Sequence, residues 1–157
     1  MDIKWNVPPR IKIHEALGAI GDKRIEVNGD TAKVHSSSGN KFYTVLYDPI
    51  SHSLMVNDNG SYWKGYLGYP AIAYLMLIGK IHYTQEQADA FANIAWKDIN
   101  TKFKNDFDKT LKYIHDTQKK KEIDTIRLEE EIDKIFKHVS ENLPSILGKK
   151  TKPPEGY

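Results

Sequence analysis

The sequence predicts an α+β fold: an N-terminal helix, a four-strand antiparallel meander packed on a buried helix, and two long C-terminal helices. Three observations predict it. Between Arg24 and Val56, short β-prone runs are separated by turn signals at Asn28-Gly29, Ser37-Ser38-Gly39-Asn40 and Asp48-Pro49. Ala71 to Ile78 is apolar nearly all round, as a buried helix is. Beyond Thr84, apolar residues recur every three or four positions, the period of a helix face.

The elements follow in order. Residues 1–9 form an extended lead, and Pro9 suits the first position of a helix. Ile13, Ala16, Leu17 and Ile20 then share one helical face, and Gly21 supplies a stop. Arg24 to Val27 and Thr31 to Ser36 alternate around Asn28-Gly29, a two-residue hairpin turn. Lys41 to Tyr47 is the strongest strand, rich in β-branched and aromatic residues, and Ser53 to Val56 is the fourth. Connections this short pair strands antiparallel, because parallel pairing needs a long crossover. Asn57 to Tyr69 is a loop, Pro70 opens the buried helix, and Gly79 ends it.

Thr84-Gln85-Glu86-Gln87 reads as a capping box opening a long helix. Its stripe is Phe91, Ala95, Ile99, Phe103, Phe107, Leu111 and Ile114, wide enough to require burial. Nothing apolar occurs from His115 to Glu122, which marks a turn or a solvated stretch. A last helix spans about Ile123 to Asn142, with a narrow seam of Leu128, Ile132, Ile135 and Val139, and Pro144 closes it. The expected organisation is a compact module over 1–83, a two-helix extension over 84–147 that packs on it or pairs with a second chain, and a flexible tail over 148–157.

Composition bounds the function. Hydrophobic residues make up 39% and charged residues 28% of 157, so a packed core is expected. A net charge of +2 is too small to mark a nucleic-acid binder. Residues 1–83 carry 9 basic and 7 acidic side chains and residues 84–157 carry 14 of each, so the second part has the charge-dense, neutral surface of solvated helices. The absence of cysteine excludes disulfides, thiolate metal sites and a cysteine nucleophile. Met1 to Trp5 lacks the apolar core of a signal peptide, and the longest apolar run is far short of the roughly 20 residues a spanning helix needs, so a cytoplasmic protein with no membrane partner is expected.

Ser36 to Ile81 carries the most specific pattern. Ser37-Ser38-Gly39-Asn40-Lys41-Phe42-Tyr43-Thr44-Val45, then Asp58, then Ala73, Leu75 and Met76 on the buried helix, resembles the SWIM zinc-finger domain. The resemblance places Leu54, Val56, Gly68 and Pro70 where that family has its Cys and His ligands. None of these residues can bind zinc, so the resemblance implies a degenerate, metal-free copy held by apolar packing. It also implies binding to DNA or to other proteins.

The loop Asn57 to Tyr69 sets four large aromatics among glycines, amides and one Lys, a composition that suits stacking or interface anchoring. Trp63 and Tyr69 are expected to cap the core. Lys41, Asn57, Asn59, Tyr62, Lys64 and Tyr66 form the candidate binding surface, and Leu128, Ile132, Ile135 and Val139 the candidate self-association seam. No two of the six histidines have metal-site spacing, and each is expected at the surface or its boundary. Glu129-Glu130-Glu131 with Lys134 and Lys137 reads as a solvated helix face. No acid–base pair, nucleophile or metal set can be assembled from spacing. The sequence therefore predicts a non-enzymatic adaptor with no cofactor and no small-molecule substrate. Its partner is a protein or a second copy of itself. The alternatives are a nucleic-acid-binding module using residues 57–69 and, last, an enzyme of unknown type.

Overall fold

The computed structural model describes residues 3–155. Met1, Asp2, Gly156 and Tyr157, which belong to the expected lead and tail, lie outside the described residues. The architecture is α+β, with helix α1 (Ile11–Gly21) as its central element. Strands β1 (Ile25–Asn28), β2 (Thr31–His35), β3 (Phe42–Asp48) and β4 (Ser53–Val56) follow as the expected meander, with Val34 opposite Tyr43 and Val45 opposite Val56. A single π-helical turn (Gly60–Lys64) leads into α2 (Tyr69–Leu77), which carries Pro70 in its first turn. Helices α3 (Gln85–Ala90), α4 (Trp96–Lys102), α5 (Phe107–Lys120) and α6 (Thr125–Glu141) precede a short strand, β5 (Ser145–Ile146).

The sheet has five strands rather than four. β5 joins the free side of β4 in parallel, Leu54 opposite Ile146, after the chain has crossed the whole helical segment. Two residues are too few to show a strand period, so the sequence pattern could not announce it. The N-terminal lead closes the same edge. Trp5 N–H donates to the Pro144 carbonyl at 3.0 Å, and its buried indole Nε1 donates to the Leu54 carbonyl at 2.8 Å.

The two expected C-terminal helices are four. The Phe91–Ile114 stripe breaks at Asn93, and again at Lys104 and Asn105, all in the left-handed backbone region. Asparagine tolerates that region better than most residues. Asp106 then caps α5 by accepting from Lys109 N–H, and Asp124 caps α6 through Arg127 N–H. The turn between α5 and α6, with Glu122 at positive φ, makes a helical hairpin rather than a rod. The Thr84 capping box forms as expected, with Thr84 Oγ1 accepting from Gln87 N–H and Gln87 Oε1 from Thr84 N–H.

α1 is buried on every side, packing against α2, α3 and α6. Gly18 admits this closeness: a Cβ there would lie 2.6 Å from the Trp96 indole nitrogen and 2.9 Å from the Phe91 carbonyl. One contiguous core joins Leu17 and Ile20 of α1, Val45 and Leu54 of the sheet, Ile72 and Leu75 of α2, and Phe91 and Ile132 of the helical segment. The 84–147 segment thus packs on the 1–83 module. Leu128, Ile132, Ile135 and Val139 are all buried in this core, so the expected self-association seam is spent inside the chain. The tail lies along the module, with Lys41 Nζ donating to the Pro154 carbonyl and Lys150 Nζ to the Tyr62 carbonyl.

Glu129 ties the second half to α1. Its carboxylate accepts from Arg10 Nη1 at 2.6 Å and lies 3.0 Å from His14 Nε2 and 3.4 Å from His115 Nε2. His14 is fully buried and Glu129 half-buried, contrary to the expected surface histidine and solvated glutamate face. The 3.6-residue period explains the difference: Glu129 follows Leu128 and faces inward, whereas Glu130 is exposed.

Two predictions follow from this packing. Val56→Asp puts an unpaired charge into the core beside α2 and is expected to cost about 3 kcal/mol or more. Denaturant unfolding checks it, and an unchanged midpoint would place Val56 outside the core. For Glu129, burial alone would raise the carboxyl pKa, but hydrogen bonds from His115, His14 and Arg10 outweigh it and hold the group well below the usual range. Its contribution is full above the unfolded value near ~4.3 and fades as pH falls. His115 is shifted up, chiefly by its bond to Glu129, so its contribution is full below ~6.5 and fades as pH rises. Glu129→Gln should therefore destabilise by about 2 kcal/mol, with the largest gap from wild type near pH 5–6. A gap that does not vary between pH 3 and pH 9 would contradict this linkage.

Candidate functional site

A half-enclosed cleft of about 790 Å³ opens between the π turn, α4 and the Lys12–Glu15 side of α1. Its floor comes from α1. Lys12 and Glu15 lie three residues apart on one side of that helix, with Lys12 Nζ 2.7 Å from Glu15 Oε2. The contact is a short, direct ion pair whose angle departs from that of a well-aligned hydrogen bond. Glu15 Oε1 is better satisfied, accepting from Asn100 Nδ2 at 3.1 Å, and Thr110 Oγ1 in turn donates to Asn100 Oδ1 at 3.1 Å. α1 is thereby tied to α4 and α5 through polar contacts beneath the cleft. Burial alone disfavours the Lys12 ammonium, but Glu15, then Tyr66 and Asp58, outweigh it and hold Lys12 firmly protonated. The Phe107 ring also lies 5.3 Å below its Nζ.

One wall is the π turn, and Asp58 shapes it. This buried carboxylate accepts from both Ser61 N–H and Ser61 Oγ, and Ser61 Oγ accepts from Gly68 N–H at 3.0 Å. Any side chain at position 68 would collide with the Asp58 carboxylate, so glycine is required there for close approach. Burial raises the Asp58 pKa, against the opposing pull of Ser61 and Lys12. Tyr66 lines the same wall, its phenol pushed up by burial against the nearby Lys12 charge.

The rest of the lining is aromatic with a basic rim. Tyr43 and Tyr69 pack edge to face with centroids 6.3 Å apart. Burial raises the Tyr69 phenol, opposed by Arg24, which lies 6.0 Å from its ring centre. Arg24 is held by Asp22 at 3.3 Å and by the His35 carbonyl at 2.6 Å. Trp63 stands at the mouth, 65% exposed, with the Tyr62 ring perpendicular to it at 4.7 Å. Lys64 follows it on the same turn, exposed, and Lys97 lines the α4 side.

The candidate binding surface is therefore divided. Asn59, Lys64 and Tyr66 line the cleft. Asn57 is committed to the sheet, its Oδ1 accepting from Thr44 N–H at 2.8 Å. Lys41 is buried against the tail, and Tyr62 braces Trp63. Of the two expected core caps, Tyr69 is half-buried, but Trp63 projects outward because the π turn carries it past the core edge. Lys12, Glu15, Arg24 and Asn100 went unpredicted. Lys12 and Glu15 did leave a signal: Ile11, Ile13, Ala16, Leu17, Ala19 and Ile20 occupy more than one face, so charges between them were bound to be buried. Arg24 and Asn100 left none.

Among the described residues, no cluster of three or more His, Cys, Asp or Glu side chains has metal-binding geometry, and no helix is long and apolar enough to cross a membrane. No curated protein and no solved structure matches the chain. A family model described as "Uncharacterised conserved protein UCP014422" matches residues 5–144. That match runs from Trp5 to Pro144, the two residues whose backbones bond to close the sheet edge, and spans both the module and the helical segment. The chain belongs to the UCP014422 family of conserved proteins.

Proposed function

We propose that this chain is a non-enzymatic binding module whose primary ligand is a small polar molecule held in the cleft. The observation that carries the proposal is the cleft itself. Its volume falls within the roughly 300–1,000 Å³ of small-molecule sites, and a charged pair on a buried helix forms its floor. This departs from the sequence-based expectation of no small-molecule substrate. Binding without catalysis is favoured because Lys12 and Asp58 are already committed. A firmly protonated Lys12 is neither nucleophile nor base, and Asp58 spends its oxygens on Ser61.

Macromolecular docking, in protein or nucleic-acid form, is the second reading. Exposed Phe42 and Leu46, four residues apart on the outer side of β3, and the almost fully exposed Ile50 at the next turn support it. The SWIM-like resemblance adds only the burial of Leu54 and Val56, which any packed meander requires.

A thermal-shift and ligand-observed NMR screen of common polar metabolites, with a labelled oligonucleotide titration at low salt, separates the readings. The proposal expects metabolites that bind wild type and lose at least about fivefold in affinity with Trp63→Ala, an exposed change that leaves the core intact. Absence of any metabolite hit at millimolar concentration, or hits indifferent to Trp63→Ala, would refute it. Salt-sensitive oligonucleotide binding without a metabolite hit would transfer the function to the second reading.

A further inference from the structure

We infer that the cleft selects a flat aromatic ring carrying an anionic group, with Trp63 as the stacking platform and Lys64 as the partner of the negative charge. The inference rests on the small-molecule reading above and names its ligand class. Leaving an indole 65% exposed at a cleft mouth forgoes much of the stabilisation its burial would give. Here the perpendicular Tyr62 is the one ring contact of Trp63 among the described residues, and it holds the indole in a set orientation while most of its surface stays open. Phe107, Tyr43, Tyr66 and Tyr69 continue aromatic surface into the cleft, so a ring that stacks at the mouth has apolar walls beyond it.

Charge decides what the ring carries. The cations inside are already matched, Lys12 by Glu15 at 2.7 Å and Arg24 by Asp22 at 3.3 Å. Asp58 is the remaining carboxylate of the lining, and it is sealed behind Ser61. Lys64 is different: it is exposed, lines the cleft beside Trp63 and has no ion-pair partner among the described residues. An indole face alone would also attract a cation. With Lys64 next in sequence on the same turn, a cationic ring meets like charge, whereas an anionic ring meets both attractions at once. At a solvent-exposed rim, one such charge contact corresponds to about a five- to tenfold change in affinity.

The test uses three probes with the same ring and different charge: indole-3-acetate, indole-3-ethanol and tryptamine. Adenosine monophosphate and adenosine serve as a larger pair. Titration calorimetry is run on the full chain at low and high salt. Each anion is expected to bind at least fivefold tighter than its neutral counterpart, with tryptamine weakest and the preference shrinking at high salt. Lys64→Met should lower indole-3-acetate to the affinity of indole-3-ethanol, and Trp63→Ala should weaken both. Neutral or cationic probes binding as tightly as the anions would overturn the inference and leave the small-molecule reading standing. So would an anion preference that survives Lys64→Met. If no probe binds at millimolar concentration, the inference falls, and the metabolite screen decides whether the broader reading falls with it.

Discussion

A helix buried on all sides cannot carry a charged side chain without a partner, and α1 carries four groups that need one. Arg10 at its N-cap and Lys12, His14 and Glu15 in its first turns lie where α2, α3 and α6 close around it. An isolated charge in that setting costs several kcal/mol, so each group dictates where another element must come. Arg10 and His14 fix Glu129 and with it α6. Lys12 and Glu15 hold one another and fix Asn100, which Thr110 supports from α5. The helical segment is placed by this pairing as much as by its apolar stripe.

The cleft is a consequence of that arrangement. Because Lys12 and Glu15 lie between the π turn and α4, neither element can close over them with apolar side chains alone. Asp58 then holds the π turn at a fixed distance through Ser61 and Gly68. The turn carries Trp63 and Lys64 to the rim, where they meet solvent and not the core. Core demand and surface chemistry meet in the one stretch from Asp58 to Gly68.

Much of the fold was legible because it follows local periodicity. The meander, the buried helix from Tyr69, the Thr84 capping box and the last helix all announce themselves through turn residues and apolar spacing. Three features did not. β5 is two residues long and gains its pairing only from β4. The Phe91–Ile114 stripe keeps its period across two breaks, because α3, α4 and α5 continue to present apolar residues to the same core; Asn93, Asn105 and Asp106 were the available signs of those breaks. The narrow Leu128–Val139 seam looked like an interface because a sequence cannot say which chain covers it; here its own α1 does. Of the candidate site, Asn59, Lys64 and Tyr66 were legible as loop residues, whereas the floor depends on a tertiary contact between α1 and α4 that no spacing encodes.

The most direct test is a double-mutant cycle on Lys12 and Glu15, measured by denaturant unfolding at neutral pH. If α1 is a buried helix whose charges must be matched, Lys12→Met and Glu15→Met should each cost about 3 kcal/mol, by stranding the opposite charge. The double substitution should cost less than the sum of the two by about 2 kcal/mol, since it removes both charges together. Single substitutions that each cost under about 0.5 kcal/mol and add without coupling would contradict the account, because they would describe a solvated surface pair.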